Sequence, residues 1–381
     1  MSTRSFSDDD LIEALKSMTN SQAAKHFDVS KRQIERRRAA LVRKGWSPAH
    51  DLHHAVPDGY MLKGASTLYK EGKPVLQWVK STVDEERQRE LFESSCKAAV
   101  KDLPVVVPKE ARGKHVDHLM TVYPIGDPHF GEYIWGDECG RDWDLSIAER
   151  IHCQAMAALV DAAPKTERAL IINLGDAAHY DSMIAVTPRS GHHLDADSRY
   201  AKMVDVLILA MRQVVESALK KHRYVHVVHV IGNHDETGAV WLSRLFAHLY
   251  SKEPRVTVET SPSVFSYYRW GKTLIGMHHG HTAKAHVLPG VMATDRAKDW
   301  GETTHRYWYT GHIHHESKKE FPGCVVESFN TLAPADSYAH SGGYRARQNM
   351  KCVVLHKEHG EVARHTVSPD MLEGEGEGEA A

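Results

Sequence analysis

Five times in this chain an apolar, β-branched run stops at a short cluster of Asp, Asn or His. HLMTVYPIG precedes Asp127-Pro128-His129, ALIINLG precedes Asp176, YVHVVHVIG precedes Asn233-His234-Asp235, TLIGM precedes His278-His279-Gly280-His281, and RYWYTG precedes His312-Ile313-His314. Apolar runs of this length beside glycine read as buried strands, and the carboxyl ends of strands in α/β sheets are where loops aim side chains into a shared crevice. The fold has to bring five strand ends to one rim. Between the first three lie WDLSIAERIHCQAMAALVDAA and SRYAKMVDVLILAMRQVVESALKKH, both helical in pattern. This alternation predicts an α/β domain over 115–368, with a second half richer in strands (CVVESF, MKCVVLH, EVARHTV).

The side chains at the five ends are carboxylates, imidazoles and an amide. The chain has 28 histidines, and its five cysteines are scattered with no Cys-x-x-Cys pair, against both a disulfide framework and a thiolate zinc site. Such a donor set suits divalent ions, Mn²⁺ by preference with Fe²⁺ or Zn²⁺ as alternatives, and a carboxylate can bridge two of them. Any one motif is weak evidence, since a lone Gly-Asp is usually a turn and His-x-His arises by chance in a histidine-rich chain. Five in a fixed order, each after an apolar run, are not an accident. The reducing cysteine pattern, an acidic start without an apolar leader and the lack of an apolar run of about 18 residues lead to the expectation of a cytoplasmic protein that makes no use of membranes.

In this order the motifs (Asp-x-His, Gly-Asp, Gly-Asn-His-Asp, His, Gly-His-x-His) resemble those of the calcineurin-like metallophosphoesterases over about residues 118–335. The resemblance implies a sandwich of two β-sheets flanked by helices and a centre of two metal ions. It places Asp127, His129 and His314 on one ion, Asn233, His279 and His312 on the other, and Asp176 between them. Two such ions about 3.5 to 4 Å apart share a hydroxide for in-line attack on phosphorus. His234 would protonate the leaving oxygen, and Asp235 would orient its ring. Serine/threonine phosphatases of this superfamily continue the second motif with Val-Asp-Arg-Gly. Here the chain reads GDAAHYD, and the third motif ends in Asp, so both forms look more like the nuclease branch.

Two inserts bear on the substrate. In the segment 182–200, Arg189, His193 and Arg199 could reach a substrate phosphate or form a lid, and a solvated surface insertion is the equal alternative. EYIWGDECGRDW, after the first motif, holds aromatics that either stack on unpaired bases or pack on the core.

Residues 1–50 predict three short helices. SDDDLIEALKSM has a Ser cap and three Asp in its first turn; SQAAKHF follows; KRQIERRRAALVRKG comes after a break at Asp28. This is a helix-turn-helix pattern, with Ala24 at the helix contact, Asp28 at a turn position tolerant of positive φ, and Val29 and Ile34 inside. From Lys31 to Lys44 seven residues are basic and one acidic, on what would be the recognition helix. Arg32, Gln33, Arg36 and Arg37 are expected to face DNA, with Lys31 and Arg43 on phosphates. Residues 51–114 read as a β-hairpin, a polar helix and a proline-bearing linker, and 369–381, ending in EGEGEGEAA, as a disordered acidic tail.

The combined expectation is a metal-dependent DNA nuclease of the layout seen in accessory phosphoesterases of phages and prophages. The alternatives are a phosphomonoesterase or small-nucleotide phosphodiesterase, and an inactive DNA-binding regulator. A homo-oligomer stays open, since helix-turn-helix modules often pair and no heptad pattern decides the matter.

Overall fold

In the computed structural model, residues 6–43, 46, 60–70, 73–83, 113–188 and 190–373 are described. The chain divides into two units, Met1–Ala98 and Ala99–Ala381.

The first unit opens with helices α1 (Asp8–Ser17), α2 (Asn20–His26) and α3 (Lys31–Arg43). Ser7 and Thr19 each close a capping box, with Asp10 and Gln22 returning the bond, which satisfies two free N–H groups at each helix start. Leu11, Leu15, Ala23, Ala24, Ile34, Leu41 and Trp46 form a small core. Asp28 turns the chain between α2 and α3 with φ 54°, as its short polar side chain permits. Strands β1 (Tyr60–Lys70) and β2 (Lys73–Val83) pair as an antiparallel hairpin. The polar helix expected near 83–100 and the linker after it lie outside the described residues.

The second unit has two sheets. One holds six strands in the order β13 (Gly360–Val367), β12 (Met350–His356), β3 (Val116–Ile125), β4 (Thr166–Asn173), β5 (Tyr224–His229), β6 (Val256–Val258). Its β3 to β6 run parallel, and β12 is antiparallel to both its neighbours. The other has the order β10 (Ser317–Phe321), β11 (Cys324–Ser328), β9 (His305–Thr310), β8 (Thr273–Met277), β7 (Ser266–Trp270), with β11, β9 and β8 parallel. The inner faces meet in one core: Met120, Val122, Leu170, Ile172 and Val228 against Ile275, Met277, Tyr307 and Tyr309.

Helices occupy the connections. After α4 (Gly136–Cys139), the crossovers of the first sheet are α5 (Leu145–Ala162), α6 (Tyr200–Leu219) and α7 (Glu236–Leu249). α8 (Leu288–Asp295) lays Leu288 and Met292 on Leu274, Trp308 and Val326 of the second sheet, and α9 (Ala297–Glu302) follows it. α10 (Ser337–Ser341) and α11 (Pro369–Glu373) complete the unit. This is the expected α/β sandwich of two sheets flanked by helices. Of the segment 369–381 expected as a disordered acidic tail, 369–373 form α11, where Asp370 pairs with Arg141 at 2.5 Å, and 374–381 lie outside the described residues.

Candidate metal centre

The parallel strands β3, β4, β5, β8 and β9 all end at one edge of the sandwich, and each is followed by one of the five motifs. Three groups of donors form there, one of them His129, His179 and His234. Asp127, His129 and His314 bring ligand atoms within 4.8 Å of one another, and so do Asp176, His279 and His312. The Asn233 amide oxygen lies 3.1 Å from His279 Nε2, which is itself 3.0 Å from an Asp176 oxygen. Asp127, His129, Asp176, Asn233, His279, His312 and His314 therefore share one site.

The backbone is bent to present them. Among the described residues six non-glycine residues have positive φ; five are Asp127, His129, Asp176, His312 and His314, and the sixth is Asp28. A positive φ costs a non-glycine residue on the order of 1 kcal/mol or more, and such strain collects at functional sites. Glycines provide the remaining room. At Gly232 a Cβ would sit 2.0 Å from an Asp176 oxygen, and at Gly175, with φ 99°, one would sit 2.7 Å from His279 Nδ1.

The site's electrostatics call for cations. His279 Nδ1–H donates to the Leu174 carbonyl (2.8 Å), which aims Nε2 at the oxygens of Asp176 and Asn233. His129 and His314 face each other through their Nε2 atoms at 3.1 Å. Nitrogen and oxygen lone pairs this close repel unless a proton or metal stands between them. Burial opposes charging His279, yet the Asp176 and Asp127 carboxylates outweigh it and push it up to about 10. His314 is raised to about 9 by Asp127 against the same opposition. Burial raises Asp176, but His279 beside it holds it well below the usual carboxylate range. The donor types, spacing and hunger for positive charge fit two divalent ions.

His234 stands at the same cavity, its ring edge-on to His129 at 4.8 Å. Asp235 is not what orients it. The buried Asp235 carboxylate points back into the loop after β4 and accepts from the backbone N–H groups of Asp176, Ala177, Ala178 and Gly232. Burial and the charge of Asp176 raise it to about 7. His234 Nδ1–H instead donates to the His179 carbonyl at 2.8 Å. His179 itself was missed. It is buried, with Nδ1 3.2 Å from His129 Nδ1, and burial pushes it down to about 3. Its signal was the His three residues after Asp176 in GDAAH.

Of the two histidines that flank His279 in the fourth motif, His278 and His281, His278 turns away to Thr282 and stacks on Phe265. His193 and Arg199 are exposed and do not line the cavity, and Arg189 lies outside the described residues. The 182–200 insert is tied to the other insert and to the start of α5: Tyr133 N–H donates to the Asp195 carbonyl, and Asp197 accepts from Leu145 N–H. Within that other insert Trp143 is buried, while Tyr133 and Trp135 remain about half exposed. A buried carboxyl also went unforeseen. Glu132, 4 % exposed, lines the metal cavity with an oxygen that has no hydrogen-bond partner, and burial raises it to about 8.

In the first unit Lys31, Arg32, Gln33 and Arg36 are exposed on α3, Lys31 within 3.5 Å of Glu35. Arg37 departs from the expectation. It folds back onto α1, paired with Asp8, bonded to the Phe6 carbonyl and stacked on the Phe6 ring, so its charge is taken up inside the module. The Arg43 side chain lies outside the described residues. No helix among the described residues is long and apolar enough to cross a membrane.

The family model described as calcineurin-like phosphoesterase matches residues 120–350. No curated protein matches. Solved structures with similar folds include a dimetal phosphatase from Danio rerio (10 % identity, 66 % of this chain and 99 % of that one, TM-score 0.34). An archaeal phosphodiesterase (10 %, 65 % and 99 %, 0.32) and a zinc-bound Vps29 from Entamoeba histolytica (16 %, 65 % and 98 %, 0.27) are others. Likenesses this loose do not bear on the assignment.

Proposed function

This chain belongs to the calcineurin-like phosphoesterase family, and from that premise we propose that it is a two-metal phosphodiesterase whose substrate is DNA, a nuclease of the phage and prophage kind. The observation that carries the phosphoesterase part is the pair of donor groups at one strand edge, five of whose members have positive φ. Asp127, His129 and His314 would hold one ion and Asn233, His279 and His312 the other, with Asp176 between them. When bound, the ions supply Lewis acidity, which makes water a nucleophile near neutral pH and offsets charge on the phosphate oxygens.

The protein's own groups do the rest. The bond from Nδ1–H to the His179 carbonyl leaves His234 Nε2 as the nitrogen that can face a substrate. In the imidazolium form Nε2–H gives its proton to the departing oxygen, and the neutral ring that results keeps its proton on Nδ1. Support for DNA comes from α3, whose Lys31, Arg32, Gln33 and Arg36 are exposed on the second helix of a helix-turn-helix pattern. The motif forms GDAAHYD and GNHD favour a diester over a phosphoprotein.

The test is to incubate the protein with Mn²⁺ and labelled single- and double-stranded DNA beside a chromogenic phosphomonoester. DNA cleavage is expected. Hydrolysis of the monoester alone would replace the nuclease reading with a phosphomonoesterase, and no hydrolysis with any metal would favour a DNA-binding regulator.

A further inference from the structure

The cavity that holds the metal-site residues is about 890 Å³. A single phosphoryl group fills only a small part of such a volume, which is in the range of pockets that enclose whole ligands of many atoms. Much of the rest is lined by residues 336–348, to which the sequence motifs gave no role. Two aromatic rings stand out from it, Tyr338 at 78 % and Tyr344 at 62 % exposure. Arg347 is exposed on the same wall and makes no hydrogen bond or ion pair among the described residues.

The segment is held in shape without them. Asp336 caps α10 by accepting from Ala339 N–H, Gly342 N–H donates to the Tyr338 carbonyl, and Tyr344 N–H donates to the Ala339 carbonyl. Arg345 closes the far end on the carbonyls of His340 and Tyr344. The two tyrosines are thus presented on a fixed loop, which lowers the ordering cost of binding, and beside Arg347 the Gln348 side-chain oxygen accepts from Arg141 at 3.4 Å. The acid nearest to them in sequence, Asp336, is turned to its cap.

We propose that residues 336–348 form a platform for single-stranded nucleic acid, Tyr338 and Tyr344 stacking on unpaired bases while Arg347 takes a phosphate next to the one that is cut. Aromatic faces and a basic group beside them suit a strand whose bases are free to stack, and a paired base cannot reach such a ring. This rests on the proposed phosphodiesterase chemistry at the metal centre and adds the strand form of its substrate.

Two measurements on the full chain test it. One is the ratio of kcat/KM for an oligothymidylate of about ten nucleotides to that for bis(p-nitrophenyl) phosphate, with Mn²⁺. The ratio should fall about tenfold in Tyr338→Ala/Tyr344→Ala and in Arg347→Ala, mainly through KM on the oligonucleotide. The other needs no turnover: a 5-iodouracil oligonucleotide photocrosslinked to wild-type protein in EDTA should attach at Tyr338 or Tyr344. Cleavage of single-stranded DNA with an unmoved ratio and crosslinks only elsewhere would overturn the platform and leave the nuclease reading standing. Hydrolysis of the small diester with no cleavage of any DNA would overturn both the platform and the nuclease reading, while the metal chemistry survives. Preference for a phosphorylated peptide over the oligonucleotide would likewise overturn the platform.

Discussion

His234 owes its orientation to a backbone carbonyl, that of His179, and this decides what its loss would do. His234→Ala removes a ring without removing a proposed ligand, so bound metal should be unchanged while kcat falls by about 10² to 10⁴. Metal analysis beside turnover checks this, and full activity would show the proton donor to be another group. Single residues were legible in the sequence where chemistry forces a residue type at a fixed place after a strand: Asp127, His129, Asp176, Asn233, His312 and His314 could be named before any fold was known. Residues whose role depends on where a side chain points were not. Asp235 follows His234 directly, and sequence adjacency suggested a bond between them. The turn into α7 instead rotates the carboxylate toward the loop after β4, where it accepts from three N–H groups, with a fourth from Gly232 after β5. Arg37 likewise looked like one more base on a basic helix, because the position of Asp8 beside it follows from the packing of α1 on α3.

Elements were legible to the extent that periodicity and caps speak for themselves. The strands leading into the motifs are apolar because both faces are covered, and the helices of the first unit follow from Ser7, Thr19 and Asp28. The pairing of the late strands was not readable, since CVVESF, MKCVVLH and EVARHTV carry no mark of which sheet each joins. The structure sends β12 and β13 to one sheet and β11 to the other. A charged clasp then joins the sheets at that side: Arg364 of β13 donates to both oxygens of Glu327 on β11, at 2.5 and 3.0 Å, and also to Glu361. Glu327 is buried. Arg364→Ala leaves its charge without its main partner and should lower unfolding free energy by about 2 to 4 kcal/mol, discounted for the partial exposure of Arg364. Urea unfolding measures it, and a change below about 0.5 kcal/mol would mean that Lys318 alone serves Glu327.

At the scale of the molecule, the sequence conveyed an α/β domain with a small helical module before it, and the rim on which the motifs meet. It did not convey the wall opposite the ligands, because a loop such as 336–348 is defined by what it faces. Whole-molecule stability should also respond to acid through buried histidines. His222 is fully buried between the Tyr123 hydroxyl (2.7 Å) and Thr166 Oγ1 (2.8 Å), and burial pushes it down to about 4. The unfolded chain takes up that proton near pH 6.5, so between about pH 6.5 and 4 it binds more protons than the folded one, and stability falls as pH falls. At pH 5 the loss from this residue is about 2 kcal/mol. Urea unfolding at pH 7 and pH 5 should therefore show His222→Gln losing about 2 kcal/mol less than the wild type. Equal losses would mean that His222 is not held neutral.

The central claim is that two divalent ions gather on donors from five strand ends and that phosphodiester hydrolysis depends on both. It is tested most directly by stripping the protein with chelator, titrating Mn²⁺ back, and following bound metal and hydrolysis of bis(p-nitrophenyl) phosphate together in wild type and Asp176→Ala. The expected result is about two ions per chain, activity that rises with the second, and a variant that loses both metal and turnover. Full activity in the chelated protein, or an Asp176→Ala variant with undiminished metal and turnover, would contradict it.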